Sequence, residues 1–290
     1  MFMSNQLWQQ QWPAPAKLNL MLRIVGRRED GYHQLQTVFQ LIDFCDWLTF
    51  ESLVEDCVRL TAPIDGVDEA DDLTVRAALL LKKETGFSGG VSITVDKKIP
   101  MGGGLGGGSS DAATTLVALN ALWDLGLSGR KLSELGLTLG ADVPVFIRGC
   151  NAWAEGVGEQ LQPISLVDHW FVIVKPSCHV STEAVFCAKD LTRDSKPITI
   201  SNFHSGQCQN DCLETVRKAY PEVAAMLTLL SAYGEARLTG TGACVFLQFS
   251  SEESARAVYD ELNKSRAEEV YFAAGVARSP VYQNLDYPSF

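Results

Sequence analysis

Pro100-Met101-Gly102-Gly103-Gly104-Leu105-Gly106-Gly107-Gly108-Ser109-Ser110-Asp111 puts six glycines into seven positions and runs into an apolar-periodic segment, Ala112 to Leu127, that reads as a helix. Glycine in a regular element costs roughly 0.5–1 kcal/mol relative to alanine, so packing alone does not account for so many missing side chains. Something has to approach this backbone closely. A glycine loop feeding a helix N-terminus offers unpaired N–H groups and the positive end of the helix dipole, a ready site for phosphate.

Several nucleotide loops share that logic. The common phosphate loop needs Lys-Ser or Lys-Thr after its last glycine, and here Gly108 is followed by Ser109-Ser110-Asp111. Gly102, Gly104 and Gly107 meet the dinucleotide pattern, a near-automatic match in so glycine-dense a stretch. Its confirming acid should end a second strand about 20 residues on. Asp124 stands near that spacing, inside the run Leu116, Leu119, Leu122, Trp123, Leu125 that reads as helix. A flexible linker would have polar flanks, whereas this loop lies between the strand-like Val91 to Val95 and a helix.

A chain of 290 residues with 46% hydrophobic content can bury one large core or, more in keeping with its length, two. A net charge of −11 and an isoelectric point near 4.9 argue against a nucleic-acid surface, so anions must be held by a local site. Met1 to Lys17 lacks the charge cluster and apolar stretch of a signal peptide, and no apolar run approaches the ~20 residues of a membrane span. The expectation is a cytoplasmic protein that binds neither membrane nor nucleic acid. Eight cysteines are too sparse for a disulfide scaffold and read as reduced thiols. His204, Cys208 and Cys212, four apart, could line one helical face but lack a fourth ligand, and His33, His169 and His179 show no metal spacing, so no metal site is expected.

The amino-terminal half reads as strands at Ala16 to Val25, Leu35 to Ile42, Trp47 to Phe50 and Val58 to Leu60, then a helix Leu73 to Lys83 capped by Asp71 or Asp72. A helix Leu132 to Leu139 stops at Gly140, and strands follow at Val143 to Ile147 and Asn151 to Ala154. Beyond a boundary near residue 163, the order is a strand Trp170 to Val174, helical patterns at Thr182 to Ala188, Cys212 to Ala219 and Glu222 to Ser231, a hairpin Ala236 to Phe249, a helix Glu252 to Asn263 and a strand Val270 to Ala274. Setting aside the extra helices, that is β-α-β-β-α-β, the split ferredoxin-like arrangement. The two halves are 1–163 and 164–290.

Alternation from Lys17 to Val25 puts Lys17 and Asn19 on one face, opposite Leu18, Leu20, Leu22 and Ile24. That face is either solvated or functional. Asp142, between a helix stop and an apolar run, is either a turn residue or a partly desolvated carboxylate that needs a cationic partner. Paired with Lys17, it could accept a proton from a hydroxyl nucleophile. Thr239-Gly240-Thr241-Gly242 is an ordinary hairpin turn or a backbone clamp on a phosphate, and Tyr32, His33 and Phe186 are packing residues or the walls of an aromatic pocket.

Taken together, the segments resemble the GHMP kinase superfamily, whose loop has the form P-x-x-x-G-L-G-S-S-A-A. Pro15-Ala16-Lys17-Leu18-Asn19-Leu20, Arg28 to His33, the extended loop, Gly140-Ala141-Asp142-Val143-Pro144, Glu155-Gly156-Val157-Gly158-Glu159 and Leu238 to Gly242 carry the match across nearly the whole chain. The resemblance implies an α+β, two-domain kinase: an amino-terminal domain like ribosomal protein S5 and a ferredoxin-like carboxy-terminal one. It implies ATP with Mg²⁺, and transfer of the γ-phosphate to the 2-hydroxyl of a cytidine-diphosphate conjugate of a branched polyol, in the non-mevalonate route to isoprenoid precursors. A homoserine, sugar or mevalonate type of GHMP kinase is the alternative.

It also implies roles. Asp142 matches the catalytic base, Lys17 its paired lysine, and Pro100 to Ser110 the ATP-phosphate cradle. Asn19, Tyr32, His33, Thr182, Phe186, Gly240, Thr241 and Gly242 match the substrate pocket, with Tyr32 and Phe186 sandwiching cytosine. Asp72 stands where members commonly carry Asn near the adenine, and Asp111 adds an acid close to the expected Mg²⁺. Oligomeric state is not legible.

Overall fold

The computed structural model describes residues 7–265, 268–283 and 285. Residues 1–6, part of the amino-terminal segment discussed above, lie outside them. The first strand, β1 (Trp12–Arg27), turns at Gly31 (φ +91°) and pairs antiparallel along its whole length with β2 (His33–Leu53), from Trp12 opposite Leu48 to Arg27 opposite His33. Among the described residues β2 is the strand partner of β1, whose other side carries an isolated bridge from Leu22 to Asn210, so Pro13 and Pro15 cost it no ladder hydrogen bond on that side.

β2 is a single strand where the sequence pattern suggests two. The polar Asp43 and Asp46 that interrupt its apolar alternation are absorbed by the sheet's neighbours: Asp43 accepts from the Ala274 N–H (2.7 Å), and buried Asp46 from the N–H groups of Lys98 (2.5 Å) and Ile99 (2.7 Å). β2 also pairs with β4 (Gly90–Asp96) and β5 (Ala152–Glu155); β3 (Val58–Leu60) lies beside β4, and β6 (Gln160–Pro163) beside β5. One core gathers Trp12, Phe39 and Phe50 of this sheet against four helices: α1 (Leu73–Thr85), α2 (Gly107–Leu122), α3 (Gly129–Leu139) and α4 (Val143–Arg148).

Two helices depart from expectation. Val143 to Ile147, expected as a strand, forms α4: a five-residue apolar run satisfies either period, and Pro144 in the first turn has the φ a helix start needs. The helix expected from Ala112 begins at Gly107 instead, so two glycines and both serines lie in its first turns, and it ends at Leu122, leaving Asp124 in the following turn at φ +53°.

In the second half, β7 (Trp170–Lys175), β8 (Arg237–Leu238), β9 (Val245–Phe249) and β10 (Glu269–Val276) form an antiparallel sheet of order β10-β7-β9-β8, the ferredoxin-like order. The helices α5 (Thr182–Cys187), α6 (Ile200–His204), α7 (Leu213–Ala219), α8 (Pro221–Leu230) and α9 (Glu252–Ser265) accompany it. At its end β10 crosses back, with Gly275 opposite Ile42 and Val276 opposite Leu41, joining the two halves into one continuous sheet path. A core of Ala16, Leu18 and Met21 with Phe171, Ile173 and Phe246 fills the seam. β1 is therefore buried on both faces, which removes the solvated reading of Lys17 and Asn19. Among the described residues no helix is long and apolar enough to cross a membrane.

Candidate active site

The glycine loop is pinned from the opposite half of the chain. The N–H groups of Ala243 and Cys244 donate to the carbonyls of Gly102 (3.2 Å) and Gly103 (3.1 Å), and Thr239 Oγ1 donates to Gly104 O (3.3 Å). Gly104 and Gly106 leave no room for a side chain. Gly104 (φ +73°) would bring a Cβ within 2.5 Å of Thr239 O, and Gly106 (φ +75°) within 2.9 Å of Phe146 Cζ. Loop residues Pro100 to Ser109 line a cavity of about 420 Å³ together with Asp72, Lys97 and Asp111. Ser110 is fully buried and does not reach it. Asp72 is committed to the chain itself, capping α1 by accepting from Thr74 N (2.8 Å), Val75 N (3.2 Å) and the Thr74 hydroxyl.

Beneath the loop lies a charged cluster that the sequence reading did not assemble. Lys97 Nζ sits 2.5 Å from Asp46 Oδ2 and 2.7 Å from Asp111 Oδ2. Burial pushes the Asp111 carboxyl up to about 7, Lys97 opposing and Asp46 adding to the rise. Burial also works against the Lys97 ammonium, but the two carboxylates outweigh it and hold its pKa above the usual lysine range. Asp111 Oδ1 and Ser110 Oγ are buried without a hydrogen-bond partner. Lys97 had one signal in the sequence, a cation just ahead of a phosphate-type loop; Asp46 had none, because its partner is fifty residues away.

A second cavity, of about 380 Å³, shares Gly104, Gly106 and Ser109 with the first. Lys17, Asn19, Asp142, Thr182, Phe186, Gly240 and Thr241 line it. A bulge in β1 on either side of Lys17 and Asn19 keeps both side chains aimed into it. Lys17 Nζ has three donors and three acceptors around it: Asn19 Oδ1 (2.6 Å), Gly104 O (2.9 Å) and Asp142 Oδ2 (3.4 Å). That assignment turns the Asn19 amide nitrogen to Thr37 Oγ1 (2.8 Å), while Thr239 Oγ1 accepts from the Asn19 backbone N–H (3.0 Å). Thr37 and Thr239 thus fix the group that fixes Lys17, and neither was singled out from sequence for this. The Asp142 side chain is about one-third exposed, open to a ligand, against 4% for Lys17.

Of the remaining expected substrate residues, Gly242 stands behind the cavity, its carbonyl against Gly104, and Thr241 Oγ1 is 3.0 Å from Thr182 Oγ1. The aromatic arrangement differs from expectation. His33, not Tyr32, stacks on Phe186, with ring centroids 5.0 Å apart and 25° between planes, and Tyr32 projects outward, 66% exposed. His204 ends α6, Cys208 lies in the connecting loop and Cys212 precedes α7, so the three do not share a helical face. All eight cysteines are free, and burial pushes the thiols of Cys45, Cys212 and Cys244 up to about 12.

Comparison with known proteins follows the same outline. The family model for the GHMP kinases N terminal domain matches residues 72–150, and that for the GHMP kinases C terminal matches residues 186–268. A protein of Methylococcus capsulatus named 4-diphosphocytidyl-2-C-methyl-D-erythritol kinase is 55% identical over 275 residues, 94% of each chain. One of the same name from Nitrosococcus oceani is 57% identical over 246 residues, 85% of this chain and 88% of that one. A crystal structure of 4-(cytidine 5'-diphospho)-2C-methyl-D-erythritol kinase superposes with a TM-score of 0.79 at 32% identity, covering 92% of this chain and 99% of the other. Homoserine kinase from Cytophaga hutchinsonii gives a TM-score of 0.67 at 15% identity, covering 93% and 94%, a likeness of fold alone.

Proposed function

The chain belongs to the GHMP kinases, in their 4-diphosphocytidyl-2-C-methyl-D-erythritol kinase branch, and we propose that its two joined cavities receive ATP and that acceptor on either side of the glycine loop. Its reaction is ATP-dependent phosphorylation of 4-diphosphocytidyl-2-C-methyl-D-erythritol. The observation that carries the assignment of roles is the Lys17–Asp142 pair, 3.4 Å apart where the two cavities meet.

In this reading Pro100 to Ser109 cradle the phosphates of ATP, with N–H groups and the start of α2 facing the charge. Asp142, the more exposed of the pair, takes the proton from the acceptor's 2-hydroxyl as its oxygen attacks the γ-phosphorus and the bond to the β-phosphate oxygen breaks. Lys17, held by Asn19, Gly104 and Asp142, supplies fixed positive charge where negative charge spreads over the transferring group. Residues 164–290 complete the acceptor side through Thr182, Phe186, Gly240 and Thr241, while residues 1–163 carry the ATP side and the acid–base pair. Phe186 and His33 offer an aromatic wall for the cytosine.

Mg²⁺ would supply charge neutralisation for the phosphates of ATP. Asp111, which lines the nucleotide cavity and has an unpartnered Oδ1 at the start of α2, offers the hard-oxygen donor that would hold it. A reaction between two anionic small molecules fits a cytoplasmic enzyme.

The test is ADP release with ATP, Mg²⁺ and a panel of alcohols. Turnover on the cytidyl substrate alone is expected; turnover on homoserine or mevalonate without it would overturn the assignment.

A further inference from the structure

Arg193 lies in the irregular segment after α5 and has no part in the roles assigned above. Its guanidinium makes four hydrogen bonds to oxygen and nitrogen acceptors. Two of its hydrogen bonds tie down the end of α5, from Nη2 to the carbonyls of Phe186 (2.9 Å) and Ala188 (2.6 Å), and Nη1 donates to Leu191 O (3.0 Å). Cations are favoured at such carbonyl ends. The remaining bond runs from Nε to His33 Nε2, at 3.1 Å.

That last contact decides the chemistry of His33. A guanidinium has no acceptor and keeps its protons, so His33 Nε2 must supply the lone pair. The neutral ring then carries its proton on Nδ1, and a second proton has nowhere to go without breaking the bond to Arg193. The charges around the ring agree. Burial, Arg193 and Arg27, which faces His33 across the β1–β2 ladder, all push its pKa below the usual histidine value. Asp30 of the adjacent turn is engaged by Arg28 at 2.7 Å and does not compensate.

We propose that Arg193 is a positioning residue for the acceptor pocket: it fixes His33 as a neutral Nδ1–H ring and locks the stacked His33–Phe186 pair in place. The proposal rests on the acceptor reading given under Proposed function. Its consequence is specific, since an Nδ1–H ring meets ligands only as a donor. The group it faces must be an acceptor, such as a pyrimidine keto oxygen or an unprotonated ring nitrogen. Arg193 also links the two halves of the chain at this wall, because His33 opens β2 and Phe186 belongs to α5.

The decisive measurement reads the wild-type protein. Long-range ¹⁵N–¹H spectra of the histidine-labelled protein, with the His33 signals identified by their loss in His33→Phe, should show His33 protonated at Nδ1, with its titration below the ordinary histidine range. An Nε2–H pattern would overturn the proposal. In Arg193→Met the His33 titration should rise toward about 6.5. KM for the cytidyl substrate should rise about tenfold, as expected for loss of a charged hydrogen bond, with kcat and KM for ATP nearly unchanged. Arg193→Lys should recover part of that loss, and in the His33→Phe background Arg193→Met should add less than it does in wild type, because only its bonds to the end of α5 are then left to lose. An unchanged His33 titration in Arg193→Met, or an equal KM rise in both backgrounds, would contradict it. Because the His33 spectra are independent of turnover, they test Arg193 even if the cytidyl substrate proves not to be the acceptor.

Discussion

Lys17 Nζ lies 3.4 Å from Asp142 Oδ2, and the pair spans the junction between β1 and the first residue before α4. Nothing in the packing of a strand demands a buried ammonium there. Leaving one unpaired would cost several kcal/mol, so Lys17, Asn19 and Asp142 stand or fall together. Lys17→Met should lower kcat by at least about 10²-fold, the range seen when one fixed transition-state donor is removed. KM for ATP should change little, because Lys17 is absent from the walls of the nucleotide cavity. A stopped-flow or ADP-release assay reads both values.

Gly104 and Gly108 should respond oppositely to alanine. At Gly104 a Cβ meets Thr239 O at 2.5 Å on a left-handed backbone, and Gly104→Ala should cost roughly 1–3 kcal/mol in urea unfolding and abolish turnover. At Gly108, in the first turn of α2, the nearest atom is Leu73 Cδ1 at an ordinary 3.5 Å. Gly108→Ala should therefore match or exceed wild-type stability, by up to about 1 kcal/mol. Equal destabilisation at both sites would show that the loop geometry is not the determinant.

Asp111 predicts the sign of a pH effect. Its carboxyl titrates near 7 in the folded chain, above the ordinary 3.8 of an unfolded aspartate, so the folded state binds the extra proton between those values. Stability from this group is present at low pH and lost as pH rises through 7, with a slope of at most about 1.4 kcal/mol per pH unit. Asp111→Asn should remove that component. Melting temperatures compared at pH 5.5 and 8 should fall less in the variant than in wild type.

Phe186→Ala should raise KM for the cytidyl substrate by about 10–100-fold, the worth of one base–aromatic stack, and leave KM for ATP unchanged. Tyr32→Ala should have a smaller effect, because Tyr32 is turned outward and His33 holds the stacking position. A Tyr32 effect as large as that of Phe186 would mean that Tyr32 folds over the bound base.

The phosphate loop was legible because glycine leaves so few alternatives, and the carboxy-terminal sheet because alternation and turn residues recur at regular spacing. Lys17 and Asn19 were legible as a pair from period-2 alternation, but their burial was not. It depends on β1 being covered by the second half of the chain. Val143 to Ile147 misled because five apolar residues fit a strand as well as a helix, and the period decides nothing at that length. Asp46 and Arg193 were invisible for one reason: each acts on a residue brought near only by the fold, Asp46 on Lys97 and Arg193 on His33.

Single-turnover transfer in Asp142→Asn tests the acid–base role at the cavity junction most directly. With labelled ATP, Mg²⁺ and the cytidyl substrate at saturation, transfer should slow by about 10²–10⁴-fold, the usual contribution of a general base, while equilibrium ATP binding stays close to wild type. Transfer at the wild-type rate, with ATP binding intact, would contradict it.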